Sequence, residues 1–252
     1  MTSQILQPTR TDLPFPGSNQ TTHFVHVIHN LVSSSECQKL IESHKNLVPS
    51  NVTPETIRTR EQFDDEALSE LLWERLRDFY GEDRVKDEDG CWWNVTGLNE
   101  RFRLCRYDKG GKFSPHYDGR RMADLDNQSF LTVNIYLNTV PEAFSGATRA
   151  LASPDSAASG KVLAKIQPVL GTAAIFRDTL WHDGEELTAG EKYLLRTEVL
   201  YKREKFDFEG MYGHWNDEEK GMKALLLAEG LEDSGNREEA VKWYKKAFRL
   251  CA

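Results

Sequence analysis

Hydrophobic and polar positions follow two different periods along this chain, and the changes of period divide it. Residues 1–20 show neither period and are rich in Pro, Thr, Ser, Asn and Gly, which predicts a flexible, poorly anchored arm. Phe24 to Leu31 (FVHVIHNL) predicts a strand. Ser33-Ser34-Ser35-Glu36 then supplies N-cap residues ahead of an amphipathic run with Cys37, Leu40 and Ile41 on one face. A second helix is predicted from about Asp65 to Tyr80, where Leu68, Leu71, Leu72, Leu76 and Phe79 recur at helical spacing and Gly81 can end it.

Between Arg101 and Tyr201 the pattern shifts to short β-rich runs separated by turn residues: RFRLCRY, FLTVNIYLN, AKIQPVL, GTAAIFR and KYLLRTEVLY. Such spacing predicts a sandwich or jelly roll. Helical periodicity returns at 217–232 and 236–250, joined at Asp233-Ser234-Gly235, with a stripe of Ala240, Tyr244 and Ala247. The chain therefore reads as mainly β with flanking helices: an arm (1–20), an N-terminal α/β support segment (21–100), a β core (101–205) and a C-terminal helical hairpin (217–252).

Composition narrows the function. The 252 residues allow one large domain or one domain with an appendage. No apolar run approaches the ~18–20 residues of a membrane helix, so no membrane span is expected. With 40 acidic against 32 basic residues, a net charge of −8 and no basic stripe, a nucleic-acid partner is not expected. The N-terminus lacks a charged-then-apolar architecture, which predicts cytoplasmic or nuclear residence. The four cysteines form no C-x-x-C pair and are read as free thiols.

One constellation carries chemistry. In Tyr107-Asp-Lys-Gly-Gly-Lys-Phe-Ser-Pro-His116-Tyr-Asp118, the His and the carboxylate stand two apart in an extended segment and so share a face. His182, in Leu180-Trp-His182-Asp-Gly, is the best candidate for a third ligand. Two histidines and a carboxylate on one side of an ion leave the opposite positions open, the facial triad of non-haem Fe(II) oxygenases. Farther on, alternation puts Lys192, Leu194 and Arg196 on one strand face, and a buried cation near iron asks for a dicarboxylate cosubstrate. Arg101, Arg103, Cys105 and Tyr107 also share a face, which makes Arg103 a candidate pocket residue. His23, His26 and His29 suggest a metal cluster at first sight, but alternation turns His26 away from the other two, and they are read as structural.

The stretch from Tyr107 to Tyr201 resembles the double-stranded β-helix (jelly-roll, cupin-like) core of the iron- and 2-oxoglutarate-dependent dioxygenases, in particular the prolyl 4-hydroxylase-like branch. The resemblance rests on Y-x-x-G-G-x-F-x-x-H-x-D, on T-V-N-I-Y-L-N followed by S-G-A-T, and on P-x-x-G-x-A-x-x-F-x-x-x-x-x-H with a basic residue ten positions beyond. It implies that His116, Asp118 and His182 hold Fe(II). It further implies that Lys192 binds the remote carboxylate of 2-oxoglutarate, with Arg196 as the competing anchor, and that Tyr107 and Tyr136 line the cosubstrate pocket. The resemblance also implies O2 as the co-reactant and ascorbate as an accessory reductant. One departure stands out: Gly146-Ala147 replaces a usual pair of glycines, which predicts a tighter loop.

The implied activity is hydroxylation of an unactivated C–H bond, with a prolyl residue in a peptide or protein as the family-based substrate. The alternatives are the same cofactor chemistry on a small metabolite (hydroxylation, demethylation or desaturation) or an inactive oxygenase-fold interaction module. The tail resembles a single tetratricopeptide unit at Leu227, Gly235, Ala240, Tyr244 and Ala247, which makes the C-terminal helices a candidate surface for a protein partner.

Overall fold

A computed structural model describes residues 6–14, 24–50, 52–156 and 161–251. Strands β1 (Thr9–Leu13) and β2 (Val25–His29) precede helix α1 (Ser34–Ser43), β3 (Val48–Pro49), β4 (Thr59–Asp64) and α2 (Glu66–Tyr80). Next come β5 (Arg84–Lys86), β6 (Trp92–Leu98), β7 (Arg101–Tyr107) and β8 (Phe113–His116). They are followed by β9 (Asn127–Tyr136), β10 (Thr148–Leu151), β11 (Val162–Ile166), β12 (Ala173–Arg177), β13 (His182–Gly184) and β14 (Lys192–Lys202). Helices α3 (Phe208–Tyr212), α4 (Asp217–Asp233) and α5 (Arg237–Leu250) complete the chain. The chain groups into two compact units, the first of residues 1–81, 97–118 and 131–199, the second of 82–96, 119–130 and 200–252.

In the first unit one sheet runs in the order β1-β2-β12-β9-β14-β7-β4-β3, and a second in the order β11-β10-β13-β8. Val25, Tyr107, Phe176 and Leu194 of the first sheet and Ala150 and Ile166 of the second belong to one buried apolar cluster. Two sheets closed over a shared apolar cluster make the expected jelly roll. The register of β14 on β7 sets Lys192 opposite Tyr107, Leu194 opposite Cys105 and Arg196 opposite Arg103, so alternate residues of both strands face the same way.

The helices form where their caps predict. Ser33 and Glu36 close a capping box on α1, Asp65 accepts from Leu68 N at the start of α2, and Arg75 of α2 grips both oxygens of Glu36. At the N-terminus the structure departs from the sequence reading. Residues 9–13, inside the predicted arm, pair with β2 from Thr9↔His29 to Leu13↔Val25. Main-chain hydrogen bonds anchor this strand, and its side chains are mostly exposed, so no hydrophobic pattern announced it. His26 meets the Tyr80 hydroxyl and Arg10, and His29 meets Thr11, consistent with structural roles; His23 lies outside the described residues.

In the second unit β5 pairs with β6. Helices α4 and α5 pack as a hairpin whose Ala224, Leu227, Leu231, Ala240 and Ala247 bury against Met122, Phe208 and Tyr212 of the same unit. Among the described residues no second helical pair repeats this hairpin. No described helix is long and apolar enough to cross a membrane.

Candidate metal and cosubstrate site

Strands β8 and β13 are neighbours, and their register places His116 directly opposite His182. Asp118 lies just beyond the end of β8, and one ligand atom from each of the three residues falls within 4.8 Å of the others. His116 Nε2 is 3.6 Å from Asp118 Oδ1, and His182 Nε2 is 3.6 Å from Asp118 Oδ2. Both rings are held alike from behind. His116 Nδ1 lies 2.8 Å from the Ser114 carbonyl oxygen and His182 Nδ1 2.9 Å from that of Leu180. A carbonyl only accepts, so each Nδ1 carries a proton and Nε2 is the ring atom turned toward the carboxylate and left to bind a metal. Burial pulls the pKa of His182 down to about 4, which keeps it neutral, as a metal ligand must be.

Asp118 is nearly inaccessible to solvent, and burial by itself would raise its pKa. The charge of Arg196 outweighs burial and holds the carboxyl well below the usual range. Arg196 reaches Asp118 Oδ1 at 3.0 Å, and Thr132 donates its hydroxyl to Oδ2 at 2.6 Å. The carboxylate is thus ionised and fixed in orientation.

The second cation of the β14 face is differently placed. Lys192 is buried, and its amine donates to the Gly146 carbonyl oxygen at 2.8 Å. No carboxylate among the described residues pairs with it. The amine lies 5.2 Å from the Tyr107 ring centre and 5.8 Å from that of Tyr136, and burial draws its pKa down from 10.5 to about 8. Arg196, in contrast, faces Asp118 and, at 3.4 Å, Glu198. Glu198 also binds Arg103, the cross-strand partner of Arg196.

His116, Asp118, His182, Lys192 and Arg196 line one cleft that is partly open to solvent. Arg103 and Tyr107 are on its wall, as alternation predicts, and burial pushes the Tyr107 hydroxyl up to about 12. Tyr136 is fully buried and does not line the cleft; its hydroxyl donates to Thr148 Oγ1 at 2.9 Å, and it is Thr148 that reaches the wall. The loop at 145–148 departs from the double glycine without difficulty, since of Gly146 and Ala147 only Gly146 has a positive φ. Sequence reasoning missed Arg58, Phe113 and Thr148 as wall residues. Nothing in the polar run around Arg58 signals a pocket.

The residues present fit the groups the chemistry calls for. Two imidazoles and one carboxylate converge on one point, the donor set of a facial Fe(II) site. Beside them stand a buried ammonium with no carboxylate and three buried polar atoms with no hydrogen-bond partner, Arg58 Nε, Asn134 Oδ1 and Arg196 Nε. Such atoms are costly unless a bound polar ligand meets them.

Residues 102–197 match the sequence model of the 2OG-Fe(II) oxygenase superfamily. No curated protein matches the chain. Among solved structures, the viral collagen prolyl hydroxylase of Paramecium Bursaria Chlorella virus-1, as a 2OG complex, is 21% identical over 71% of this chain and 95% of its own, with a TM-score of 0.48. HygX from Streptomyces hygroscopicus, with nickel and 2-oxoglutarate bound, is 16% identical over 74% and 85%, with a TM-score of 0.49. A prolyl hydroxylase from Trichoplax adhaerens, in complex with a hypoxia inducible factor peptide fragment, is 18% identical over 69% and 82%, with a TM-score of 0.49. The segment that matches the 2OG-Fe(II) oxygenase superfamily, an iron- and 2-oxoglutarate-dependent class of enzymes, runs from β7 into β14 and contains His116, Asp118, His182, Lys192 and Arg196, so the similarity covers the whole candidate site.

Proposed function

We propose that this chain hydroxylates an unactivated C–H bond, with His116, Asp118 and His182 as the iron ligands and Lys192 as the anchor of the remote carboxylate of 2-oxoglutarate. The observation that carries this reading is the pairing of a preformed His-Asp-His cluster with a buried, carboxylate-free lysine on the same cleft. When bound, iron with 2-oxoglutarate and O2 supplies an oxidant strong enough to break such a bond. The protein's own part is to orient and to exclude water. The Ser114 and Leu180 carbonyls aim the two imidazoles, while Thr132 and Arg196 hold Asp118 ionised. Tyr107 presents an aromatic face to Lys192 and dries its surroundings, which strengthens the amine's attraction for an anion.

Anaerobic titration with Fe(II) and 2-oxoglutarate tests the assignment. A weak visible charge-transfer band is expected, absent in His182→Ala, together with O2-dependent conversion of 2-oxoglutarate to succinate. A wild-type protein that gives neither band nor succinate overturns it. A prolyl peptide is the first substrate to try, on the motif resemblance, with small metabolites as the second class; a product heavier by one oxygen atom identifies the substrate.

A further inference from the structure

Arg58, which immediately precedes β4, is a cation of the cleft that the proposed chemistry leaves unused and, unlike Arg103, one that no carboxylate among the described residues pairs. Its guanidinium carbon lies 3.9 Å from the centre of the Phe113 ring, and Phe113 in turn stacks on His116 with centres 3.7 Å apart. Its polar contacts are weak: one terminal nitrogen reaches the Tyr107 hydroxyl at 3.4 Å and the Cys105 thiol at 3.6 Å, while its buried Nε has no partner. No carboxylate among the described residues pairs with it. The side chain is therefore held flat by a ring, with most of its five donors unspent.

The charges around the cleft do not cancel. Arg149 offsets Asp183, while Asp118 and Glu198 offset Arg196 and Arg103. Arg58 and Lys192 remain. A divalent ion and a dianionic cosubstrate add no net charge to that excess. With Lys192 given to the cosubstrate, a fixed positive charge still faces the space left for the substrate, and such a charge favours an anion there.

We propose that the substrate of this site carries a carboxylate and that Arg58 is the specificity-determining residue that receives it. This rests on the oxygenase reading above. The planar fork of a guanidinium matches a carboxylate with two parallel hydrogen bonds, and its stacking on Phe113 fixes the fork before the substrate arrives. A small organic acid and an acidic residue of a peptide share this chemistry.

The test uses the full chain loaded anaerobically with Fe(II) and 2-oxoglutarate and titrated calorimetrically with matched probes. One pair is propionate against propionamide. The other is a proline-containing pentapeptide with an aspartate against the same peptide with asparagine. The expected result is that in at least one pair the acid binds roughly tenfold or more tightly than the amide, as a charge-assisted hydrogen bond implies. The preference disappears in Arg58→Gln and returns in Arg58→Lys, while the 2-oxoglutarate band of both variants is unchanged. The pair that responds tells a small acid from an acidic peptide. No acid preference in either pair overturns the proposal, as does a preference that survives Arg58→Gln. Loss of 2-oxoglutarate binding in a folded Arg58→Gln protein also overturns it, by giving Arg58 to the cosubstrate. If the wild type forms no band, the oxygenase reading fails instead, and the same probes on the unloaded protein still report whether Arg58 selects carboxylates.

Discussion

A guanidinium nitrogen of Arg196 lies 3.0 Å from Asp118 Oδ1, whereas Lys192, four residues earlier on the same face of β14, donates to the carbonyl oxygen of Gly146 and meets no carboxylate among the described residues. The two cations that the sequence left as rivals for one role therefore have different partners. Arg196 is a positioning residue for Asp118, and Lys192 is the one with charge to spare.

That division predicts opposite defects. Arg196→Met should weaken Fe(II) binding about 10–100-fold, as the loss of a group that orients a metal ligand does, with 2-oxoglutarate affinity retained once iron is saturating. Lys192→Met should keep Fe(II) affinity and lose 2-oxoglutarate affinity about 10–100-fold, the scale of a hydrogen bond to a charged group. Separate titrations of metal and cosubstrate measure both, and a reversed pattern would return the anchor to Arg196.

The pH dependence of cosubstrate binding follows from Lys192. Its pKa in the folded, ligand-free protein is about 8, so the protonated fraction falls as pH rises through 8 and 2-oxoglutarate affinity should fall with it. Stability moves the other way. An unfolded lysine keeps its proton to about 10.5, so between about 8 and 10.5 the unfolded state binds more protons and the ligand-free protein gains stability with rising pH. Below 8 the burial penalty is present in full. Dissociation constants measured from pH 7 to 9.5 should rise for the wild type and stay flatter for Lys192→Arg; a flat wild-type profile contradicts the anchor.

Thr132→Val removes the hydroxyl that donates to Asp118 Oδ2 with little change of shape. A buried carboxylate that loses a donor destabilises the fold by about 1–3 kcal/mol. Denaturant unfolding of the iron-free protein should show that loss. An unchanged midpoint would mean that Thr132 does not support the ligand.

Gly171 offers a test of the scaffold. Its φ is +76°, and a Cβ there would sit 2.2 Å from the Val32 carbonyl oxygen, while its own carbonyl accepts from Leu31 N and Val32 N. Gly171→Ala should destabilise by about 2–3 kcal/mol or more through strain and overpacking. Gly119→Ala, with open space around its Cβ, should change stability by no more than about 0.5 kcal/mol. Thermal unfolding of the pair separates the two.

The parts of this molecule written in periodic apolar residues were legible. Strand 101–107 was read to the residue, and the helices at 66–80, 217–233 and 237–250 to within one or two. The His116–Asp118 part of the cluster was legible because a His and an Asp two apart in an extended segment share a face. Strand β4 was not, because TREQFD takes its place through main-chain pairing with β7 and offers no alternation to detect. With β4 unseen, Arg58 had no strand to bring it to the cleft. Tyr136 lies on its predicted strand, but only the packed core decides that its hydroxyl meets Thr148.

Each imidazole is aimed by a main-chain carbonyl two residues upstream, Ser114 in the strand of His116 and Leu180 in the turn before that of His182. That support is main chain, so it is independent of which side chains occupy positions 114 and 180. Variation there can reshape the neighbourhood of the iron, and with it the choice of substrate, while the direction of the ligand lone pairs is inherited unchanged. The metal site is in this sense decoupled from its own surroundings, which leaves the rest of the cleft free to diversify.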